Sequence, residues 1–190
     1  MNSQPTSDKG LEALAASLNA VSVTGHAPLE RWKPQQFGKV DIVIRRDGSW
    51  WHEGRVIERT ALVRLFASAL WQEHGRYYLR TPQEQMQISV EDTAFFITGL
   101  EVVDAGTPAQ QLVFTGSYGD VLVAGPLHRL WVDEPDGEPL PGIMVRYGMP
   151  GRLTRSVFYQ LGEMAQRRGS AWGVFSQGVW FELAEGESRS

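Results

Sequence analysis

Two arginines stand where a bound anion would be expected. Arg59 ends the strand-like run Arg55-Val56-Ile57-Glu58, and Arg146 follows the apolar run Ile143-Met144-Val145; each precedes an amphipathic run. A guanidinium is always charged and offers a planar fork of donors to carboxylate or phosphate. Beside a helix N-terminus it adds to the positive end of the helix dipole, which favours an anion. Trp50 and Trp51 lie in the stretch that leads to Arg59. Neighbours in a strand point to opposite faces, so one of them can enter the core while the other offers a flat wall for stacking. Asp47, just upstream, is either a turn residue or a carboxylate partner for Arg59. His52, among the tryptophans, and His128, beside Arg129, are the histidines placed to act as acid or base.

Other chemistry finds little to work with. The sequence has no Walker A string, nucleophile elbow, His-Glu-x-x-His or Gly-x-Gly-x-x-Gly. It has no cysteine, which excludes disulfides, thiolate catalysis and cysteine-based metal sites. His26, His52, His74 and His128 share no metal-ligand spacing, so no metal and no cofactor are expected. Glu53 and Glu58 near Asp47, and the pair Glu91-Asp92, are the nearest approach to paired carboxylates, but most of these sit at turns where charge is solvated. Gly116-Ser117-Tyr118-Gly119-Asp120 is a glycine loop between two strand-like runs. Phosphate cradles usually lead into a helix and this loop does not, so it reads as a hairpin turn.

The elements that must position these residues follow from the hydrophobic pattern. The chain has 190 residues, with 42% hydrophobic and 21% charged, as expected of a globular protein with its own core. A net charge of −4 argues against a nucleic-acid partner, and no apolar run is long enough to span a membrane. No signal-peptide pattern is seen at the start, so a cytoplasmic location is expected. Fifteen of the 18 basic residues are arginine. A short helix is expected over residues 8–20, from the stripe Leu11, Leu14, Ala15 and Leu18. An extended arm should run from Gly25 to Gly38. Strands are predicted from Val40, after the turn Asp47-Gly48, and from Arg55 after Glu53-Gly54. Thr60 should cap a helix that runs to Glu73, with Gly75 stopping it. Thr81-Pro82-Gln83-Glu84 has the spacing of a capping box and predicts one helical turn. The pattern from Met86 to Val132 is β. Arg152–Arg168 predicts a second long helix ended by Gly169, and a hairpin should turn at Ser176-Gln177-Gly178.

These elements repeat. Turn (Asp47-Gly48; Asp136-Gly137), apolar strand ending in arginine, helix and aromatic strand occur twice in the same order. The predicted class is α+β, built from duplicated strand-helix-strand units with mainly antiparallel sheets. The expected halves are residues 21–83 and residues 84–190. Residues 40–80 should superpose on residues 130–183, with Arg59 and Arg146 equivalent.

Asp41-Ile42, Asp47-Gly48-x-Trp50, Gly54-x-x-Ile57-x-Arg59 and Leu62-Val63-x-Leu65-Phe66 together resemble a bacterial family catalogued as domain of unknown function 1285. Thr81-Pro82-x-Glu84, Ile88-x-Val90-Glu91-Asp92, Gly119-Asp120, His128-x-Leu130, Val145-Arg146 and Gly173-x-x-Ser176 extend the match to most of the chain. The family pattern often has Thr-Asn where this chain has Gly116-Ser117, a departure that puts a polar role of that loop in question. The resemblance implies a duplicated α+β core whose C-terminal half is superficially pleckstrin-homology-like. It also implies a ligand site at the interface of the halves, for a nucleotide-like molecule, and a link to signalling. The function expected is therefore a non-catalytic module that binds a small anionic or nucleotide-like ligand. Arg59, Arg146, Trp50, Trp51, Asp47 and His128 would form the site. The alternatives are a self-associating scaffold and, third, an enzyme that uses His52 or His128.

Overall fold

The computed structural model describes residues 7–19 and 28–185. His26 and most of the segment before Pro28 lie outside them. The described chain divides into two compact units at Asp92/Thr93. The expected boundary after residue 83 therefore moves: the strand that follows it completes the first unit's sheet. No described helix is long and apolar enough to cross a membrane.

The first unit opens with α1 (Ser7–Asn19), whose Leu11, Leu14 and Leu18 are buried. Then come β1 (Gln36–Ile44), β2 (Trp50–His52), β3 (Arg55–Val56), α2 (Thr60–Ser68), β4 (Leu70–Glu73), β5 (Arg76–Arg80) and β6 (Glu84–Val90). Two antiparallel meanders flank α2. Parallel pairing of β1 with β6 joins them into one sheet, in the order β3-β2-β1-β6-β5-β4. The inward face is read from alternation: Ile42 and Ile44 of β1 are buried. Phe66 of α2 stacks on Trp50, with ring centroids 6.3 Å apart. Arg80 ties the segment before β1 to this sheet. Its Nε donates to Gln85 Oε1 at 2.7 Å, its Nη1 donates to the Leu29 carbonyl at 3.2 Å, and its guanidinium lies 4.0 Å from the centre of the Trp71 ring.

The second unit runs β7 (Phe95–Val103), β8 (Gln111–Gly116), β9 (Val121–Val123), β10 (Leu130–Asp133), β11 (Leu140–Arg146), β12 (Met149–Leu153), α3 (Arg155–Glu163), β13 (Gln166–Arg168), β14 (Ala171–Ser176) and β15 (Val179–Glu185). Its larger sheet has the order β10-β11-β12-β7-β8-β9, with β12 and β7 parallel; β13-β14-β15 form a second sheet. From β10 to β15 the order is meander, helix, meander, as from β1 to β6. The duplication is therefore real, and both helices are nine residues long. The repeats differ in one joint. β1 and β6 share a ladder, whereas their counterparts β10 and β15 lie against each other in separate sheets.

Several expectations are corrected. Both helices were expected to be far longer, through Glu73 and Arg168. Instead α2 ends at Ser68 and α3 at Glu163, and the remainders are β4 and β13. Those residues continue the helical spacing, but pairing with the next strand decides their state. The turns His74-Gly75 and Tyr147-Gly148 are two-residue hairpin loops with both residues at positive φ, as are Glu53-Gly54 and Gln177-Gly178. This geometry matches the strand twist and favours glycine at the second position. Gly75 therefore turns a hairpin and does not stop a helix. Gly169 likewise separates β13 from β14. Thr81 does not start a helical turn. Its Oγ1 accepts from the N–H groups of Gln83 and Glu84 at 3.3 and 3.0 Å, and so shapes the β5–β6 connection. Arg59, not Thr60, occupies the N-cap of α2.

Trp50 is fully buried, at 1% exposure, and Trp51 is half-buried, as strand alternation requires. Replacing Trp50 by Ala should cost about 3–5 kcal/mol in urea unfolding, because a large cavity opens against Phe66. The Trp51→Ala change should cost about 1 kcal/mol or less. Equal losses would contradict this assignment of faces.

Candidate functional site

The residues expected to form one anion site are each engaged locally, with one exception. Trp50 belongs to the core and offers no wall to a ligand. Trp51 is tied into its own hairpin: its Nε1 donates to Ser49 Oγ at 2.8 Å, and Arg45 lies 4.2 Å from its ring centre. Asp47 accepts from the backbone N–H of Ser49 at 2.9 Å and from the Ser49 hydroxyl. These bonds hold its carboxyl below the ordinary value of 3.8. Asp47 is thus a turn residue and not the partner of Arg59.

Arg146 is the last residue of β11, and β12 separates it from α3. It is therefore not equivalent to Arg59. Its counterpart is His52, the residue before the matching two-residue turn, while the counterpart of Arg59 is Thr154, the N-cap of α3. Similar residue order hid the intervening strand. Arg146 Nη1 meets Asp120 Oδ1 at 2.8 Å, with the side chains 16% and 7% exposed. Its guanidinium also lies 5.0 Å from the Phe95 ring centre, and Phe95 meets Tyr118 edge-on at 6.0 Å. The glycine loop sets this geometry. Gly116 N–H donates to the Asp120 carbonyl at 2.7 Å, and Gly119, at φ 96°, lets the chain double back. Asp120 was not recognised as a partner, because no local pattern links residues so far apart. His128 Nδ1 lies 2.8 Å from the Met144 carbonyl, to which its Nδ1–H tautomer donates. Of the expected site residues, Arg59 is the one exposed at a helix N-terminus, and it makes no side-chain capping bond. Among the described residues no group of His, Asp or Glu could hold a metal ion.

A groove that sequence reasoning missed lies within the second unit. Phe158, Tyr159, Gly162, Glu163 and Ala165, on α3 and just past it, form one wall; Trp172, Leu183 and Ala184 form the other. It encloses about 730 Å³. Tyr159 and Trp172 are 67% and 43% exposed. Opposite the Trp172–Gly173 step, β15 carries one extra residue, Leu183, a bulge that shifts the register beside Trp172. Gly173 is required there, since a Cβ would come within 2.3 Å of the Phe181 carbonyl oxygen. The available signal was the aromatic Trp172 set just before that glycine.

Two units built on a meander-helix-meander repeat define the class of protein. Residues 27–93 match the N-terminal domain, and residues 94–183 the C-terminal domain, of the family described as domain of unknown function (DUF1285). The chain belongs to this family. A DUF1285 family protein from Silicibacter pomeroyi DSS-3 is similar at 38% identity and a TM-score of 0.82, over 90% of this chain and 94% of that one. A second, from Shewanella baltica OS155, shares the fold at 24% identity and a TM-score of 0.50, over 64% of this chain and 89% of that one. No curated protein matches the chain.

The two arginines should part company on substitution. Arg146→Gln leaves the Asp120 carboxylate without its ion pair and should cost about 2–3 kcal/mol, read by chemical denaturation. Arg59→Gln should change stability by no more than about 0.5 kcal/mol.

Ser49→Ala should return the Asp47 carboxyl towards 3.8, followed by NMR titration. Because the folded value lies below the unfolded one, the contribution of Asp47 is complete above the unfolded value. It disappears as the pH falls through the folded value.

Proposed function

We propose that the protein is a non-catalytic binding module whose ligand surface is the aromatic groove between α3 and β14–β15. The observation that carries this reading is the groove itself: three aromatic side chains line a concavity within the size range of ligand sites. Exposed aromatic area of this kind gains free energy when covered. The lining is mostly apolar, with Glu163 as its one charged member, and this favours an apolar ligand over a phosphate. Such a module suits a cytoplasmic signalling role in which occupancy is the output.

A second reading, the nucleotide-like anion expected from the sequence, rests on Arg59. That guanidinium is exposed at the N-terminus of α2, where a phosphate is electrostatically favoured. Nucleotides that raise the melting temperature of the parent, but not of Arg59→Gln, would establish it.

The groove is tested with the neutral dye Nile red. Its fluorescence should rise on binding the parent protein, and the Gly162→Arg variant, which fills the groove, should lose most of that rise. Equal fluorescence from both would refute the groove as the binding surface.

A further inference from the structure

The repeat shows what kind of object fits the groove. Counted from the N-caps Arg59 and Thr154, α2 and α3 align residue by residue. Position 67 of α2 then matches position 162 of α3, and position 70 matches position 165. Ala67 is buried, with 1% exposure, and Leu70 is fully buried; Gly162 is exposed and Ala165 is only half-buried. In the first unit the amphipathic helix α1 packs against α2, with Leu11, Leu14 and Leu18 buried. In the second unit α3 is the one α-helix among the described residues, so no helix of that unit covers it. Of its exposed positions, Tyr159, Gly162 and Glu163 line the groove, together with the half-buried Phe158.

We infer that the groove is a docking site for an amphipathic helix presented by a partner protein. This rests on the binding-module reading above. The helix would carry leucines at the spacing of Leu11, Leu14 and Leu18, and would lie on α3 as α1 lies on α2. The small residue Gly162 lets a helix backbone approach closely, as ridge-into-groove packing requires. Phe158 and Trp172 flank it and receive the leucines. Glu163 adds polarity to the match. Its carboxylate is exposed and has no ion pair among the described residues, so it favours a helix with a lysine or arginine beside the leucine stripe.

The probe is a synthetic helix-constrained peptide with the sequence of residues 7–19, which contains the leucine stripe and Lys9. It is titrated by fluorescence anisotropy against the full chain, in which α1 already covers α2. Binding should be saturable, and should weaken at least about tenfold for a Leu14→Asp peptide and for the Gly162→Arg protein. A Cβ at Gly162 meets nothing within 4 Å, and arginine is the better helix former, so this variant should melt no lower than the parent. Equal peptide binding by parent and Gly162→Arg would place the peptide elsewhere and overturn the inference. Groove-dependent Nile red binding without peptide binding would overturn it and leave the module reading intact. Loss of both would remove both. Concentration-dependent dimerisation in analytical ultracentrifugation, abolished by Gly162→Arg, would replace the partner protein with a second copy and so overturn the proposal as stated.

Discussion

A nine-residue helix is too short to persist alone, and that constraint shapes both units. α2 and α3 exist because a residue of each, Phe66 and Leu161, is driven into a surrounding meander. The meanders in turn depend on two-residue turns that reverse the chain without splaying the strands. A helix held in this way buries one stripe and leaves another. In the first unit α1 is set against α2. In the second unit Phe158, Tyr159, Gly162 and Glu163 of α3 face a groove. The two copies thus share an architecture and differ in what finishes it.

The residues expected to bind an anion mostly have partners within their own unit. Arg146 is neutralised by a carboxylate with which it shares a largely buried site, and Phe95 packs beneath the pair. Such a pair does not guarantee stability, because both charges must be stripped of water. It does fix how the glycine loop meets β11. Asp47, Ser49, Trp51 and Arg45 form a similar closed set in the first hairpin. Residue type indicated that these side chains could bind something; only the pairing showed that they bind each other.

Most of the architecture was legible in the sequence. Asp47-Gly48, Glu53-Gly54 and Gln177-Gly178 punctuate strands with strong turn chemistry. The alternation in Val40–Ile44 and Val179–Leu183 gives their inward faces, and the doubled order of elements gave the duplication. The failures have physical causes. Leu70-Trp71 and Gln166–Arg168 continue a helical pattern that hairpin pairing with the next strand overrides. His74-Gly75 and Tyr147-Gly148 place a large side chain at positive φ, where Asn or Asp would have announced the turn. Missing the second of these left β12 unread, put its Arg152 and Leu153 into the expected helix, and made Arg146 look like a partner of Arg59. The groove was illegible for a different reason. It is defined by what does not cover α3, and a sequence states what is present.

The parallel joints have a kinetic consequence. Most of the remaining ladders join neighbours in sequence across short loops and can form early, as local hairpins. The joint between Gln36 and Glu84 must wait for four strands and α2, and the one between Phe95 and Gly151 for the four strands β8 to β11. Closing such long loops is entropically slow, so these two contacts set the folding rate of their units. During synthesis the first unit has nearly all its hairpins to hand before β6 emerges from the ribosome. Until then the parallel edge of β1 is exposed, a template for mispairing with any extended chain nearby.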